Sequence, residues 1–428
     1  MASHVRDRIA TPEGPAQRKF PLAAIPRRPA LPVPPPGQPT QIQRTTKHGG
    51  RSLTWYNDVA REWTRGGDKQ VDKAKDVDFR DLAAQFDRSG MAQVIQDFPK
   101  QIETSLQAAL PPIPNRKFNR IVIAGMGGSA LPADVLLDVF GERLAVPVTV
   151  CRNYRLQGEV TAKTLVIASS FSGETEETLA AAAAFVKTPA TVVVVTTGGR
   201  LARLGQSSGC PVVLLPVAQE PTGFQPRSAT GYFLTFFARL FSAAHALEGD
   251  VCGALRDAAG KLRQRDLRTP AENMARWLHE RIPVVYTDDV HLMSVARIAK
   301  IKFNENSKRP AFFNALPEAN HNEMIGLANA TVNFGILYLH DPASHPAISE
   351  RFQVMQRVFK QEGVTHVAFA EWSMPGISRL DKVLAALVFA DWCSYFLALL
   401  AGIDPTPVGL VEKFKRALVD SRPTEPTD

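Results

Sequence analysis

Two glycine- and hydroxyl-rich turns carry the clearest chemistry in this chain. Gly125-Met126-Gly127-Gly128-Ser129-Ala130 follows the apolar run at 120–124 and opens a helical pattern. Glycines there let backbone N–H groups approach an anion closely, and a helix N-terminus adds favourable partial charge. Gly125, Gly127 and Ala130 also satisfy the dinucleotide fingerprint GxGxxG/A, which expects an acidic residue at the end of the next strand. That strand ends Cys151-Arg152-Asn153, which disfavours NAD and leaves an NADP reading open. The second turn, Ser169-Ser170-Phe171-Ser172-Gly173-Glu174-Thr175, lies between another apolar run and the next helical pattern. An ordinary helix N-cap needs one hydroxyl. Ser170, Ser172 and Thr175 crowded on one turn, together with backbone amides, suit a phosphate monoester without a metal. Gly127, Gly128, Ser129, Ser170, Ser172 and Thr175 are therefore the expected phosphate contacts.

The elements that must hold these turns are legible as short runs rich in β-branched residues. Strands are expected at 120–124, 147–151, 164–169, 190–196 and 211–215, with helices at 129–140 and 174–186 between them. Continuous apolar strands alternating with helices specify a parallel sheet covered on both faces. Upstream, the spacing of Leu82, Phe86, Met91, Val94, Ile95, Phe98 and Ile102 predicts two short amphipathic helices. Helical patterns at 229–247 and 271–279 follow the first sheet. The alternation then restarts, with strands expected at 284–287, 332–339 and 366–370 and helices at 291–302, 347–361, 378–400 and 411–419. The reading is α/β with two similar subdomains, 77–249 and 250–428, each a parallel sheet flanked by helices. Residues 1–76 form a disordered extension or linker before them. Ten prolines in the first 50 residues, among scattered arginines, cannot bury enough surface to offset the entropy of ordering.

Charge and cysteine usage exclude several classes of function. The net charge of +8 is concentrated at the start, where residues 1–50 hold eight Lys/Arg against Asp7 and Glu13. The folded body is nearly neutral, so no basic groove for nucleic acid is indicated. Cys151, Cys210, Cys252 and Cys393 lie far apart with no CxxC pair, which argues against a disulfide framework or a zinc site and fits a reducing compartment. Arg6, Asp7, Arg8 and Glu13 interrupt any signal-peptide core, so a cytoplasmic protein is expected. The stretch 384–403 is apolar enough to resemble a membrane span, yet carries Asp391, Ser394 and Tyr395 midway. A buried helix of a large α/β protein is the better reading, and no membrane span is expected.

With those loops in view, the chain resembles the SIS-domain bifunctional phosphoglucose/phosphomannose isomerases. The resemblance rests on GMGGS at 125–129, SFSGETEET at 170–178, QPRSA at 225–229, FNENSK at 303–308 and LPEANHNE at 316–323. It runs from about residue 78 to 418 and omits the N-terminal extension. It implies two SIS-type subdomains and interconversion of glucose 6-phosphate and fructose 6-phosphate, with mannose 6-phosphate as a further substrate. Such an isomerisation proceeds by ring opening and proton transfer through a cis-enediolate. It requires neither metal nor nucleotide, and no cofactor is expected.

The resemblance also assigns roles. Glu305 matches the glutamate that moves the proton between C2 and C1, a task suited to a single carboxylate. His321, on a polar loop, matches the ring-opening histidine, which in this family enters the site from the neighbouring subunit; a homodimer with shared active sites is implied. Arg227 matches the arginine beside the C1 and C2 oxygens, where a fixed guanidinium stabilises the enediolate. Lys415 aligns with a C-terminal lysine that assists ring opening, although Lys413 and Arg416 flank it. Thr406 lies near the family's active-site threonine, but an ungapped alignment places Val408 there. An SIS isomerase of another sugar phosphate shares the phosphate loops, and a non-catalytic sugar-phosphate sensor would not need Glu305, Arg227 and His321 together.

Overall fold

The β-branched runs fold into two parallel sheets, and the loops of interest emerge where the first sheet changes direction. The computed structural model describes residues 77–154, 159–288 and 292–420. The expected disorder of residues 1–76 lies outside these.

Three short helices, α1 (Phe79–Phe86), α2 (Met91–Gln96) and α3 (Phe98–Gln107), precede the first strand, one more than the periodicity predicts. The extra break falls at Asp97-Phe98-Pro99, where proline at the start of α3 cannot continue α2. The first sheet contains β1 (Arg120–Gly125), β2 (Val148–Cys151), β3 (Thr164–Ser170), β4 (Thr191–Thr196) and β5 (Val212–Leu214) in the order β2-β1-β3-β4-β5. All its pairs are parallel. Helices α4 (Leu131–Phe140), α5 (Glu176–Phe185) and α6 (Gly199–Ser207) make the crossovers. Because β2 lies on one side of β1 and β3 on the other, the loops leaving β1 and β3 flank the point where strand order reverses, the usual ligand position in such sheets.

Helices α7 (Thr230–Ala243), α8 (Val251–Arg263) and α9 (Arg268–Leu278) connect the two sheets. The second sheet comprises β6 (Ile282–Asp288), β7 (Phe312–Leu316), β8 (Phe334–His340) and β9 (Val367–Ser373), all parallel, in the order β7-β6-β8-β9. Helix α10 (Met293–Glu305) links β6 to β7, the short helices α11 (Glu318–Asn322) and α12 (Met324–Ala328) follow β7, and α13 (Pro346–Gln361) links β8 to β9. Helices α14 (Arg379–Leu400) and α15 (Gly409–Asp420) close the described chain.

Further elements depart from the sequence reading, among them the short helices α11 and α12 where a polar loop was expected. Strand β7 was not expected: its sequence FFNAL lacks β-branched residues, and it forms as an edge strand by pairing with β6. Helices α6 and α8 were also missed, since Gly199, Gly205, Gly253 and Gly260 depress their propensity. Packing overrides that: Gly205 fits against Val194 and Val212, where an added Cβ would stand 2.9 Å from each valine's Cγ2.

One hydrophobic core spans both sheets, joining Ile123 and Val193 of the first to Val285 and Leu337 of the second. Helix α14 runs through it. It begins at a capping box, in which the Asp381 N–H donates to Ser378 Oγ and the Ser378 N–H returns a bond to Asp381. Although it is long and apolar enough to cross a bilayer, 94% of its most apolar window is buried inside the protein, which accounts for its composition.

Candidate active site

The first glycine-rich loop begins where β1 ends at Gly125 and continues as a 3-10 turn over Gly127–Ser129. Its neighbour, the loop after β3, is bolted to it. The Phe171 N–H donates to Ser129 Oγ at 2.8 Å, and Ser169 Oγ donates to the Ser129 carbonyl at 2.7 Å. Ser129 and Ser170 are both buried. Ser170 Oγ donates to Thr175 Oγ1 at 2.9 Å and accepts from the Gly173 N–H at 3.1 Å, so it braces the second loop from within. Ser172 is exposed at the rim, and half-buried Thr175 opens α5. Gly173 holds φ of +67°, and a Cβ there would lie 1.9 Å from the Gly198 carbonyl oxygen, so both conformation and space demand glycine.

Gly128 connects these loops to the next part of the site. A Cβ on it would meet Pro226 O at 2.6 Å and Arg227 N at 2.9 Å. The missing side chain therefore lets the first loop press directly on the 3-10 turn Pro226–Ser228, which presents Arg227. Arg227 is 4% exposed, and its guanidinium is fixed on nearly every edge. Nε donates to Asn306 Oδ1 at 2.6 Å, and Nη2 donates to the carbonyls of Pro405 and Thr406 at 3.0 and 2.8 Å. Nη1 faces Gln225 Oε1 at 3.3 Å and Glu305 Oε2 at 3.4 Å. Burial pushes the guanidinium pKa down, and the charges of Glu305 and Asp391 oppose that.

Glu305 is the last residue of α10, which ends three residues beyond the predicted helix, and its side chain is 38% exposed. Beyond it Ser307 Oγ donates to the Phe303 carbonyl at 2.6 Å, and Lys308 turns the chain out with φ of +56°. The Lys308 ammonium tucks between two carbonyls, donating to Glu305 O at 2.5 Å and Pro405 O at 2.9 Å. Burial, reinforced by the Arg227 charge, pushes its pKa down to about 8, against the opposing pull of Asp404 and Glu305. Pro405 O thus accepts from both Arg227 and Lys308. Thr406 is buried; its carbonyl holds Arg227, while its hydroxyl has no hydrogen-bond partner among the described residues. Val408 is half-buried.

The fold therefore brings together both loops, Arg227 and Glu305. His321 and Lys415 are placed otherwise. His321 sits on the short helix α11 rather than on a loop, and it is exposed. That helix is anchored just beyond its end by Glu323, which accepts from Asn314 Nδ2 at 2.7 Å and from the Tyr286 hydroxyl. Lys415 is exposed on α15, beside the exposed Leu410, Val411 and Phe414. Among the described residues, no hydrogen bond or ion pair joins either side chain to Arg227 or Glu305. Asn306 and Lys308 were legible in sequence as polar neighbours of Glu305 within the FNENSK motif, but the Asn306 bond to Arg227 and the contact of Lys302 with the Arg227 carbonyl were not.

A carboxylate open to solvent beside an immobilised guanidinium, next to two amide- and hydroxyl-lined loops at a switch point, can hold a phosphorylated substrate and exchange a proton near a stabilised oxyanion. Arg152, at the position where a dinucleotide fold would read the ribose, is instead paired with Asp134 of α4.

Comparison with known proteins bears on the family and the fold. Residues 267–418 match the family model described as the bacterial phospho-glucose isomerase C-terminal SIS domain. The bifunctional phosphoglucose/phosphomannose isomerase of Caldicellulosiruptor bescii is 31% identical over 344 residues, 77% of this chain and 99% of that one. The protein of the same name from Thermoplasma acidophilum is 32% identical over 304 residues, 70% of this chain and 90% of that one. Among solved structures, the C-terminal domain of glucosamine-fructose-6-phosphate aminotransferase from Francisella tularensis superposes with a TM-score of 0.57 at 14% identity, covering 74% of this chain and 98% of that one, a likeness of fold. On the strength of the near full-length relatives, the chain belongs to the family of bifunctional phosphoglucose/phosphomannose isomerases built on the SIS fold.

Proposed function

We propose that this protein interconverts glucose 6-phosphate and fructose 6-phosphate, and accepts mannose 6-phosphate, in the hexose phosphate metabolism of the cytoplasm. The observation that carries the reading is the Arg227–Glu305 pair, 3.4 Å apart beside the glycine and hydroxyl loops. Gly127, Gly128, Ser129, Ser172 and Thr175 bind the substrate phosphate, with Ser170 holding the loop in shape. Glu305 removes the C2 proton and returns it to C1, and Arg227 Nη1 faces the oxygens that gain charge in the cis-enediolate. Deprotonating C2 erases its stereochemistry, so glucose and mannose 6-phosphates converge on one enediol.

Ring opening falls to His321, assisted by Lys415, and a homodimer supplies them. Two observations support that assignment: both side chains are exposed and, among the described residues, unbonded to the pair, and α15 carries exposed apolar residues beside Lys415. The four cysteines, far apart in sequence, suit a reducing compartment.

Coupled assays of the purified protein with the three hexose 6-phosphates test the reading, together with deuterium incorporation at C2 from heavy water. Interconversion with solvent exchange at C2 is expected. Activity confined to a pentose or amino-sugar phosphate, or substrate binding without turnover, would overturn it.

A further inference from the structure

The polar residues inside the membrane-like helix α14 have a use that the reaction scheme does not draw on. Asp391 and Ser394 sit one turn apart on α14, and Lys302 in the last turn of α10 lies one turn before Asn306, the residue that caps that helix. All four are buried. They mesh in two arms, and both arms end at Arg227. In the first, Lys302 Nζ pairs with Asp391 Oδ1 at 2.7 Å and donates to the Arg227 backbone carbonyl at 2.6 Å. In the second, Ser394 Oγ donates to the Asp391 carbonyl at 2.9 Å and accepts from Asn306 Nδ2 at 2.9 Å, while Asn306 Oδ1 accepts from Arg227 Nε at 2.6 Å.

A buried ion pair costs desolvation energy that mutual attraction only partly returns, so this bracket is a poor device for stability alone. Its geometry does something else. One arm fixes where the Arg227 main chain sits, and the other fixes the plane of its guanidinium, leaving Nη1 as the edge turned toward Glu305. Fully satisfied polar networks in an apolar interior are rigid and specify one arrangement.

We propose that Lys302, Asn306, Asp391 and Ser394 are positioning residues that pre-set Arg227 for the developing enediolate, with Asn306 the residue that sets the guanidinium plane. The proposal rests on the role given to Arg227 above. It also accounts for an acidic and a hydroxyl residue in the middle of an otherwise apolar core helix.

The test compares the native full-length protein with Asn306→Ala, Asn306→Asp and Ser394→Ala. Each is treated with phenylglyoxal, an arginine-selective dicarbonyl, and labelling at individual arginines is read by mass spectrometry. Buried Arg309, held by the His279 carbonyl on a different element, is the internal standard. In Asn306→Ala, labelling of Arg227 should rise about tenfold or more while Arg309 stays unchanged. Asn306→Asp keeps the acceptor and should keep Arg227 protected; Ser394→Ala should move in the same direction as Asn306→Ala by less, and serves if that variant fails to fold.

In parallel, kcat on hexose 6-phosphate should fall about 10- to 100-fold in Asn306→Ala, the cost of a misplaced catalytic group, with inhibition by inorganic phosphate unchanged. Arg227 labelling no faster than in the native protein, or rising together with Arg309, overturns the proposal, as does faster labelling with kcat untouched. A native protein without isomerase activity would defeat the proposed reaction alone, since labelling still decides whether Asn306 fixes Arg227.

Discussion

Arg227 Nη1 lies 3.4 Å from Glu305 Oε2, with the guanidinium side chain 3% exposed and the carboxylate 38% exposed. In the proposed reaction that asymmetry divides the labour. The buried cation has its other edges committed to Asn306, Pro405 and Thr406, so it needs no reorganisation when charge develops nearby. The open carboxylate can reach a substrate carbon.

Glu305→Gln keeps the shape of that carboxylate and removes its basicity. Isomerisation should fall about 10²- to 10⁴-fold in kcat with KM little changed, the usual cost of losing a positioned base. Steady-state kinetics on fructose 6-phosphate check this; rates within a fewfold of native would remove Glu305 as the base.

Gly128→Ala should damage substrate binding and turnover together, because its Cβ would stand 2.6 Å from the Pro226 carbonyl oxygen and 2.9 Å from the Arg227 nitrogen. Both are backbone atoms, so a whole loop must shift, and a displacement near 1 Å costs about 10²-fold in rate. Gly141→Ala is the control: φ there is −52° and an added Cβ meets nothing within 4 Å. Equal kcat/KM in the two variants would show that the contact between the first loop and the Arg227 turn is dispensable.

Lys308 gives a pH signature in stability. Its folded pKa, pushed down to about 8 from 10.5 chiefly by burial, lies below that of an unfolded lysine. Below pH 8 both states are protonated and the burial penalty is present in full. Between about 8 and 10.5 the unfolded chain holds more protons, so this residue's contribution to stability rises with pH. Thermal unfolding of the native protein and Lys308→Met, measured from pH 7 to 10, should show the native midpoint improving relative to the variant across the upper part of that range. A constant difference would mean that the ammonium is not desolvated where it bridges Glu305 O and Pro405 O.

The loops and strands of the first sheet were legible because their signals are local. Runs such as TLVIAS and TVVVVT declare buried strands, and the crowded hydroxyls at 169–175 are contiguous in sequence. The surroundings of Arg227 were not, since Asn306, Asp391, Ser394 and Pro405 converge on it only through the packing of α10 against α14. The advance signs were the oddity of Asp391 and Ser394 in an apolar stretch and the polar FNENSK motif that holds Asn306. Strand β7 was invisible for a related reason: Phe312 is 53% exposed, and pairing with β6, not local propensity, makes FFNAL a strand. Helix α8 did carry a local signal that was overlooked, Asp250 capping it by accepting from the Gly253 N–H at 2.7 Å.

The placement of His321 separates a shared site from a self-contained one. Its ring is exposed on α11, and no hydrogen bond or ion pair joins it to Arg227 or Glu305 among the described residues. If the histidine of one subunit serves the glutamate of another, Glu305→Gln and His321→Ala subunits are each inactive alone but complement when mixed. A mixed dimer rebuilds one intact site and leaves the other doubly defective. Random exchange makes half the dimers mixed, each with one good site of two, so about a quarter of native activity should return, as symmetry of an isologous pair requires. The measurement needs two affinity tags, so that heterodimers are isolated and their composition verified before assay. Recovery near a quarter in the unsorted mixture, or near half in purified heterodimers, places His321 across the interface. No recovery in verified heterodimers would place both residues in one chain's site, and α11 would then have to carry His321 toward Glu305 within its own subunit when substrate binds.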